Sequence, residues 1–258
     1  MSNLRIGLPS KGRLSDLASE LLKEAGIKFR RQNRSLFAKV SDLPIEIIFL
    51  RTDDIPVLCA EGAIDMGITG SDLVAEAQAD VQTRLSLGVG KCRLAVCVPE
   101  TMEIDSPAKL NGLRIATSFT NVTKNYLQQH DAEAHVVPLT GSVEIMITLG
   151  IADAIVDLVE TGSTLAANRL KISHEIGNYE TILIQNQQKR HPELADRIVR
   201  RLEGVVIARQ VGVSRGQRRD DHAARVKGSR RGIVAPVCGL YGRRFCRFIV
   251  FAPGLLVA

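Results

Sequence analysis

Short apolar runs alternate with amphipathic segments along most of the chain. The runs at residues 4–8, 45–50 and 63–68 are bounded by polar or turn-forming residues and predict buried strands. Segments 14–25 and 55–61 space their apolar residues at helical intervals, which predicts helices packed on those strands. Regular alternation of strands and helices is typical of parallel, doubly wound sheets, so we expect an α/β fold.

The alternation lapses at residues 99–112, where polar, proline and glycine residues predict a domain boundary. Just before it, residues 85–98 carry an apolar strand pattern around two glycines. After it, the same periodicities predict strands at 113–116, 136–138, 154–159, 171–177 and 179–185 and helices at 122–130, 143–149 and 188–210. We therefore predict a first lobe of residues 1–100, completed by residues 180–211, and a second lobe of residues 101–179.

One stretch of the second lobe has the features of a ligand site. Its apolar strand is interrupted by Asp157 and ends at a polar loop before a predicted helix, the loop being Glu160, Thr161, Gly162, Ser163 and Thr164. Such a loop directs hydroxyls and backbone N–H groups at one point and suits phosphate. Because Asp153, Asp157 and Glu160 would repel phosphate, we expect them to serve sugar hydroxyls or a bridging Mg²⁺. A phosphorylated sugar is the predicted ligand.

The simpler explanation of this loop is a turn followed by a helix N-cap, since Ser and Thr favour both positions for local reasons. Two acidic residues on an apolar strand are harder to explain in that way. An unpaired carboxylate is costly to bury, so their presence favours a binding site.

Basic residues follow two of the predicted strands of the first lobe. Lys11 and Arg13 come directly after the first strand, and Arg51 follows the strand at 45–50. The carboxyl ends of parallel strands are the usual ligand positions in such sheets, and an arginine there suits bidentate phosphate binding. For Lys11 and Arg13, two solvated bases remain the simpler explanation from the sequence alone. Arg34 is the residue of a nearby basic stretch most expected to reach a substrate.

A second polar loop follows the strand at 63–68 and contains Ser71 and Asp72. Its composition also suits an anion. Asp72 is either a helix N-cap or a partner for a nucleotide, and the sequence favours neither.

The net charge of +6 is concentrated at one end of the chain. Residues 212–258 contain nine arginines and one lysine against two aspartates, a balance of +8, which leaves −2 for the remainder. We expect this segment to be poorly ordered, and we interpret it as a frameshifted or otherwise divergent end. The five cysteines lack C-x-x-C spacing and are expected to be reduced thiols. No apolar run reaches membrane-spanning length and no signal peptide is evident, which predicts a cytoplasmic protein without a membrane partner.

Five motifs in order resemble the ATP phosphoribosyltransferase family, the first enzyme of histidine biosynthesis. The resemblance covers about residues 4–210 and is strongest to the short form, which lacks a C-terminal regulatory domain. The matching segments are 7–14, 49–56, 62–73, 137–142 and the loop region 153–164. The resemblance implies a two-lobed α/β fold of the type II periplasmic-binding-protein class, with the active site in the cleft between the lobes.

The implied reaction joins ATP to 5-phosphoribosyl 1-pyrophosphate (PRPP), giving phosphoribosyl-ATP and pyrophosphate. By resemblance, Thr161 to Thr164 would hold the 5-phosphate, Asp153 and Asp157 the ribose hydroxyls, and Ser71 and Asp72 the ATP. Charge for the polyphosphates would come from four bases, Lys11, Arg13, Arg34 and Arg51. Mg²⁺ would enter with the substrates and needs no dedicated protein cage. No cysteine or histidine is needed as a nucleophile or base.

Short-form members of this family assemble with a regulatory subunit related to histidyl-tRNA synthetase. The resemblance therefore implies a homodimer of this chain inside a hetero-oligomer. Two alternatives remain open. A non-catalytic small-molecule binding protein could share the two-lobed fold, but it gives no reason for the bases and the loop. A nucleic-acid-binding protein could use the basic tail, but that tail has few aromatic residues among its bases, so no nucleic-acid partner is expected.

Overall fold

A computed structural model describes residues 3–32 and 35–228 of the chain, with side chains described to Val211. The described residues up to Val211 form one compact unit. In chain order the helices and strands are β1 (Leu4–Pro9), α1 (Arg13–Glu24), β2 (Phe37–Lys39), β3 (Ile45–Leu50), α2 (Asp54–Ala60), β4 (Met66–Gly70), α3 (Ser71–Ala77), β5 (Val81–Ser86), β6 (Cys92–Pro99), β7 (Arg114–Thr117), α4 (Thr120–Gln129), β8 (His135–Pro138), α5 (Ile145–Thr148), β9 (Ala154–Val159), α6 (Ser163–Ala167), β10 (Leu170–Tyr179), β11 (Thr181–Asn186) and α7 (Pro192–Gly228).

Two sheets make up the unit. The first has six strands in the order β2-β3-β1-β4-β11-β5, and the second has five in the order β10-β6-β9-β7-β8. Strands β1, β3 and β4 run parallel, as do β7, β8 and β9, while the strands that link the sheets run antiparallel to their neighbours. The predicted two-lobed α/β fold is therefore confirmed.

Each sheet has its own apolar core because its central strands are covered on both faces. Strand β1 buries Leu4, Ile6 and Leu8 completely, as expected for a central parallel strand. Helix α7 packs on the first sheet through an apolar stripe with helical spacing, formed by Ala195, Ile198, Leu202 and Val206. In the second sheet, Val122, Tyr126 and Leu127 of α4 pack on the strands.

The chain crosses between the sheets at two places. The first crossing, residues 87–91, joins β5 to β6, and the second is Glu180 between β10 and β11. A side-chain contact adds to these links. The Glu76 carboxylate of α3 accepts the backbone N–H groups of Asn121 at 3.0 Å and Val122 at 3.1 Å. It thereby satisfies two free donors at the start of α4, a position normally served by a local side chain.

Two details differ from the sequence predictions. Residues 85–98, assigned to the first lobe, contain the end of β5 and nearly all of β6, and β6 belongs to the second sheet. The apolar pattern hid this change because Gly88 and Gly90, with φ of +67° and +64°, turn the chain between two strands of similar composition. The division of the chain into lobes at residues 100 and 179 stays a prediction.

The last helix was predicted to end at residue 210, but its helical backbone continues to Gly228. It thus enters the segment that was expected to be poorly ordered. The continuation, residues 211–228, contains no proline and includes four arginines and two alanines, which are good helix formers. Residues 229–258 lie outside the described part of the chain, and the interpretation of the tail as divergent or frameshifted stays a prediction.

Candidate active site in the cleft between the sheets

The predicted basic loops of the first sheet lie at one edge. Strands β1, β3 and β4 are parallel neighbours, so the loops after them emerge on the same side. The backbone N–H of Ser10 donates to the Leu50 carbonyl at 2.7 Å, which ties the first two loops together. This edge therefore carries Lys11, Arg51 and Asp72, as expected for the carboxyl ends of parallel strands.

The loop after β9 occupies the matching edge of the second sheet. Gly162 has φ +78° and is the N-cap residue of α6, a left-handed conformation that glycine adopts readily. Thr161 Oγ1 and Ser163 Oγ lie 3.1 Å apart, and Thr161, Ser163 and Thr164 are all exposed. Apart from this mutual contact, no hydrogen bond to another described residue uses these three hydroxyls. They are free to bind an anion.

The two edges meet through one ion pair. Arg13 Nη2 at the start of α1 lies 2.7 Å from Glu160 Oε1 after β9, and the two side chains are 79% and 51% exposed. An ion pair this exposed contributes little stability. Each of the two side chains can therefore release the other and bind a substrate group in its place.

Three cavities surround this contact, and Cys92 and Glu160 line all of them. The largest, about 550 Å³, also includes Arg13, Asp72 and Lys91. The second, about 380 Å³, contains Asp157 and the whole loop from Glu160 to Thr164. The third, about 480 Å³, lies against the two crossings and includes Lys91 and Tyr179. Together they form a cleft large enough for a small-molecule ligand.

Burial changes the acidity of groups in the cleft. Removal from water raises the pKa of Asp157, and nearby Glu144 raises it further, whereas the Leu158 N–H bound to its carboxylate opposes the shift. Burial also raises the pKa of Asp72. The pKa of the Cys92 thiol rises to about 11, mainly through burial, so this group is a neutral thiol at neutral pH. The structure thus contains no activated cysteine nucleophile at this place.

Asp153 is the predicted site residue that the structure does not bring to the loop. It precedes β9, whereas the loop follows it, and six residues of strand separate the two ends by about 20 Å. Its carboxylate pairs with Arg114, with Oδ1 2.7 Å from Nη2 and Oδ2 accepting the Arg114 backbone N–H at 2.9 Å. This pairing lowers the pKa of Asp153. Asp153 therefore lies at the end of β9 opposite to the loop, where it pairs with Arg114, and it does not face the cleft.

The remaining predicted site residues differ in whether their side chains already have a partner in the protein. Ser71 Oγ accepts the Glu180 N–H at 3.1 Å, so this hydroxyl serves the second crossing. Asp72 is not the N-cap of α3, because Gly70 holds that position, and its buried side chain lines the cleft cavity of about 550 Å³. Lys11 and Arg51 are exposed, and Arg51 lies 3.9 Å from Asp53. Arg34 lies outside the described residues.

Four cleft residues were not predicted from the sequence, namely Lys91, Cys92, Glu144 and Tyr179. All were hidden in apolar or helical patterns. The pair of glycines at 88 and 90 was the available signal, because glycines inside a strand pattern often mark a turn or a close backbone approach.

Within the described residues, no group of three or more His, Cys, Asp or Glu side chains is arranged to hold a metal ion. No helix of that part of the chain is long and apolar enough to cross a membrane. Cys59, Cys92 and Cys97 are free thiols, whereas Cys238 and Cys246 lie outside the described residues.

Residues 51–204 match the sequence model of the ATP phosphoribosyltransferase (HisG) family. An ATP phosphoribosyltransferase of Rhodopirellula baltica is 68% identical over 208 residues, covering 81% of this chain and 70% of that protein. The enzyme of Candida albicans is 41% identical over 210 residues, covering 80% of this chain and 70% of that protein.

Solved structures give the same picture. A chain of the ATP phosphoribosyl transferase (HisG:HisZ) complex from Thermotoga maritima superposes with a TM-score of 0.71 at 29% identity, covering 80% of this chain and 99% of that one. The substrate-binding protein of an amino acid ABC transporter has a TM-score of 0.54 at 16% identity, covering 82% of this chain and 95% of that one, which indicates a shared fold only.

Proposed function

This chain belongs to the ATP phosphoribosyltransferase family, and from that premise we propose how its cleft carries out the reaction. The enzyme joins ATP to PRPP, forming phosphoribosyl-ATP and pyrophosphate in the first step of histidine biosynthesis. A non-catalytic binding role is not favoured, because the 68% identical relative carries the transferase name. The assignments of individual residues below are proposals.

The loop from Thr161 to Thr164 binds the 5-phosphate of PRPP. The observation that carries this assignment is the set of exposed hydroxyls facing a cavity of about 380 Å³. Gly162 supports it, since its left-handed conformation lets consecutive backbone N–H groups turn toward a common point.

Asp157 and Glu160 bind the ribose hydroxyls. Both line the same cavity as the phosphate loop, on the side of the strand. A carboxylate accepts two hydroxyl hydrogen bonds readily, and burial of Asp157 makes such partners valuable. Asp153 has no part in this assignment, because its carboxylate is committed to Arg114 at the other end of β9.

Arg13, Lys11 and Arg51 supply positive charge for the two polyphosphates, and the sequence adds Arg34 to this group. Arg13 is the best supported, because it lines the cleft cavity of about 550 Å³ and already reaches across to Glu160. On substrate binding, Arg13 exchanges the carboxylate for a phosphate and leaves Glu160 to the ribose. Asp72, in the same cavity, is the proposed partner of ATP, and Ser71 positions it by holding the Glu180 backbone.

In the chemical step, N1 of adenine attacks C1 of the ribose, the bond from C1 to the pyrophosphate oxygen breaks, and pyrophosphate leaves with its electron pair. Inversion at C1 follows from a single displacement. The protein's task is to align the two substrates and to stabilise the charge that accumulates on pyrophosphate. Closure of the lobes would exclude water and limit hydrolysis of PRPP.

Mg²⁺ is proposed to enter with the substrates. Asp157 and Glu160 fit this role, because magnesium is commonly held by one or two carboxylates together with substrate phosphates. When bound, the ion would neutralise part of the pyrophosphate charge.

A regulatory partner is also proposed. One structural neighbour is a chain of an ATP phosphoribosyl transferase (HisG:HisZ) complex, and the match spans 99% of that chain. The curated relatives, in contrast, continue beyond the matched segment, which covers 70–73% of several of them. We propose that this chain works as a homodimer in the cytoplasm, where ATP and PRPP are made, with a separate subunit related to histidyl-tRNA synthetase.

The decisive experiment is product analysis by mass spectrometry after incubation of the chain with ATP, PRPP and Mg²⁺, alone and with a HisZ-type subunit. Phosphoribosyl-ATP in either mixture supports the activity, and stimulation by the added subunit supports the partner. A folded chain that gives no product in either mixture, and also none with a relative's C-terminal segment in place of residues 212–258, would contradict the proposal.

A further inference from the structure

Given the proposed function, we infer that Lys91 is a further substrate-binding residue, and that it binds the pyrophosphate group that leaves C1. Lys91 lies on the first crossing, between β5 and β6. It lines both the cavity of about 550 Å³ and the cavity of about 480 Å³. It therefore stands where the two sheets face each other.

The backbone that carries Lys91 is held in place by the start of β11. Thr181 donates its N–H to the Val89 carbonyl at 3.0 Å and accepts the Leu87 N–H at 3.0 Å. Gly90 has φ +64°, and a Cβ there would lie 2.6 Å from Thr181 Oγ1. The close approach requires glycine, so the lysine side chain starts from a fixed point beside the cleft.

The distribution of charge around the three cavities singles out this lysine. Their described basic residues are Arg13, Lys91 and Arg93. Arg13 is paired with Glu160 and Arg93 with Glu175. Lys91 is exposed and has no ion pair among the described residues. Among the described basic residues that line these three cleft cavities, Lys91 is thus the one whose charge no carboxylate neutralises.

The location of this charge points to pyrophosphate rather than to the 5-phosphate. The cavity of the phosphate loop contains Glu144, Asp157 and Glu160 and no basic residue. With the 5-phosphate on the loop hydroxyls and the ribose on the carboxylates, the C1 substituent extends toward the larger cavity. There, Arg13 and Lys91 are the lining bases.

Such a position predicts an effect on turnover more than on binding. Negative charge concentrates on pyrophosphate as the C1–O bond breaks, so a fixed cation is worth more in the transition state than in the bound substrate. The ammonium of a lysine acts as a point charge, and an arginine at this place should substitute in part.

The test compares Lys91→Gln and Lys91→Arg with Lys124→Gln, which removes an exposed lysine of α4 outside this cleft. Steady-state kinetics and inhibition by added pyrophosphate would be measured on the full chain with its partner. We expect Lys91→Gln to lower kcat about 100-fold and to raise the inhibition constant of pyrophosphate at least about 10-fold. The KM for ATP should change less than about 3-fold, and Lys91→Arg should recover most of the lost kcat.

Equal kcat and equal pyrophosphate inhibition in Lys91→Gln and Lys124→Gln would overturn the assignment. So would a rise in both KM values at constant kcat, because that pattern indicates uniform binding. Calorimetric titration of pyrophosphate and Mg²⁺ into the same variants tests the role of Lys91 separately from the proposed function. If the wild-type chain formed no phosphoribosyl-ATP, the proposed function would fail, while weaker pyrophosphate binding by Lys91→Gln would still support the lysine.

Discussion

Three strand-to-helix connections of this molecule contain the residues Thr-Gly-Ser, and two of them, at residues 69–71 and 161–163, are put to different uses. In the turn at the end of β4, Thr69 is fully buried, and Ser71 donates its backbone N–H to the Glu180 carbonyl at 2.9 Å while its hydroxyl accepts the Glu180 N–H. After β9, the hydroxyls of Thr161 and Ser163 contact only each other among the described residues. The first turn joins parts of the protein, and the second is open to a ligand.

The difference comes from what lies next to each turn. Strand β11 pairs with β4, so the chain leaving the second crossing covers the first turn. The turn after β9 lies beside a cavity of about 380 Å³. The glycines reflect this contrast, because Gly70 is extended at φ −80° whereas Gly162 is left-handed at φ +78°. A short motif therefore does not by itself identify a phosphate site.

The largest effect should come from removing the free hydroxyls of the second turn. The double variant Thr161→Val, Thr164→Val should weaken PRPP binding about 100-fold, or roughly 2.7 kcal/mol, with ATP binding almost unchanged. The physical reason is the loss of two donors to the 5-phosphate, since among the described residues Thr161 contacts only the Ser163 hydroxyl and the Thr164 hydroxyl has no hydrogen bond. Isothermal titration with each substrate would measure both affinities.

The matched control is Thr69→Val in the first turn, whose hydroxyl donates to the Thr52 carbonyl at 3.4 Å. We expect it to leave the PRPP affinity within about 3-fold of wild type, because the lost bond is long and internal. Equal losses for ATP and PRPP in the double variant would show that the second turn acts through folding rather than through phosphate.

The two glycines offer a second contrast, measured by the free energy of unfolding. A Cβ at Gly70 would overlap the carboxylate of buried Asp72, so Gly70→Ala should cost about 2 kcal/mol through forced displacement. A Cβ at Gly162 meets no atom within 4 Å, and Gly162→Ala should cost only about 1 kcal/mol, from the positive φ. Urea denaturation would measure both, and a larger loss for Gly162→Ala would contradict the proposed contrast.

The sequence predicted the local elements well because most of them are defined by neighbouring residues. Strands β3 and β9 were predicted with the limits observed, and α1 and α4 within two residues at either end. Strand β9 is an apolar run with one acid, and its end is marked by a polar loop, so the loop could be located without any knowledge of its surroundings. Local patterns of this kind persist in the folded chain.

What the sequence could not supply are contacts between distant residues. Asp153 is close to the loop in the sequence, but it lies at the other end of β9 in space, because an extended strand holds the residues before it and after it far apart. Lys91 and Cys92 enter the cleft only because the chain changes sheets at Gly88 and Gly90. Ser71 is committed to Glu180, 109 positions later. Each of these depends on topology and not on local pattern.

A smaller effect is expected from the hydroxyl of the first turn. Ser71→Ala removes the acceptor of the Glu180 N–H and should lower the free energy of unfolding by about 1 kcal/mol. Ser163→Ala in the second turn should change that quantity by less than about 0.5 kcal/mol, because its hydroxyl is exposed. Thermal unfolding of both variants would measure the difference, and similar losses would mean that the second turn is also structural.

The last contrast concerns the acidic residue beside each turn and the pH dependence of stability. Burial raises the pKa of both Asp72 and Asp157 above the ordinary value of 3.8. The folded state therefore favours their protonated forms, and this contribution to stability is present at low pH and is lost as the pH rises through the raised pKa.

Asp72→Asn and Asp157→Asn should each gain stability relative to wild type across that pH window, starting near the ordinary pKa value. Urea denaturation from acidic to neutral pH would measure the gain, and a difference from wild type that does not change with pH would contradict it. Titration of PRPP then separates the turns, because Asp157→Asn should bind it more weakly whereas Asp72→Asn should not.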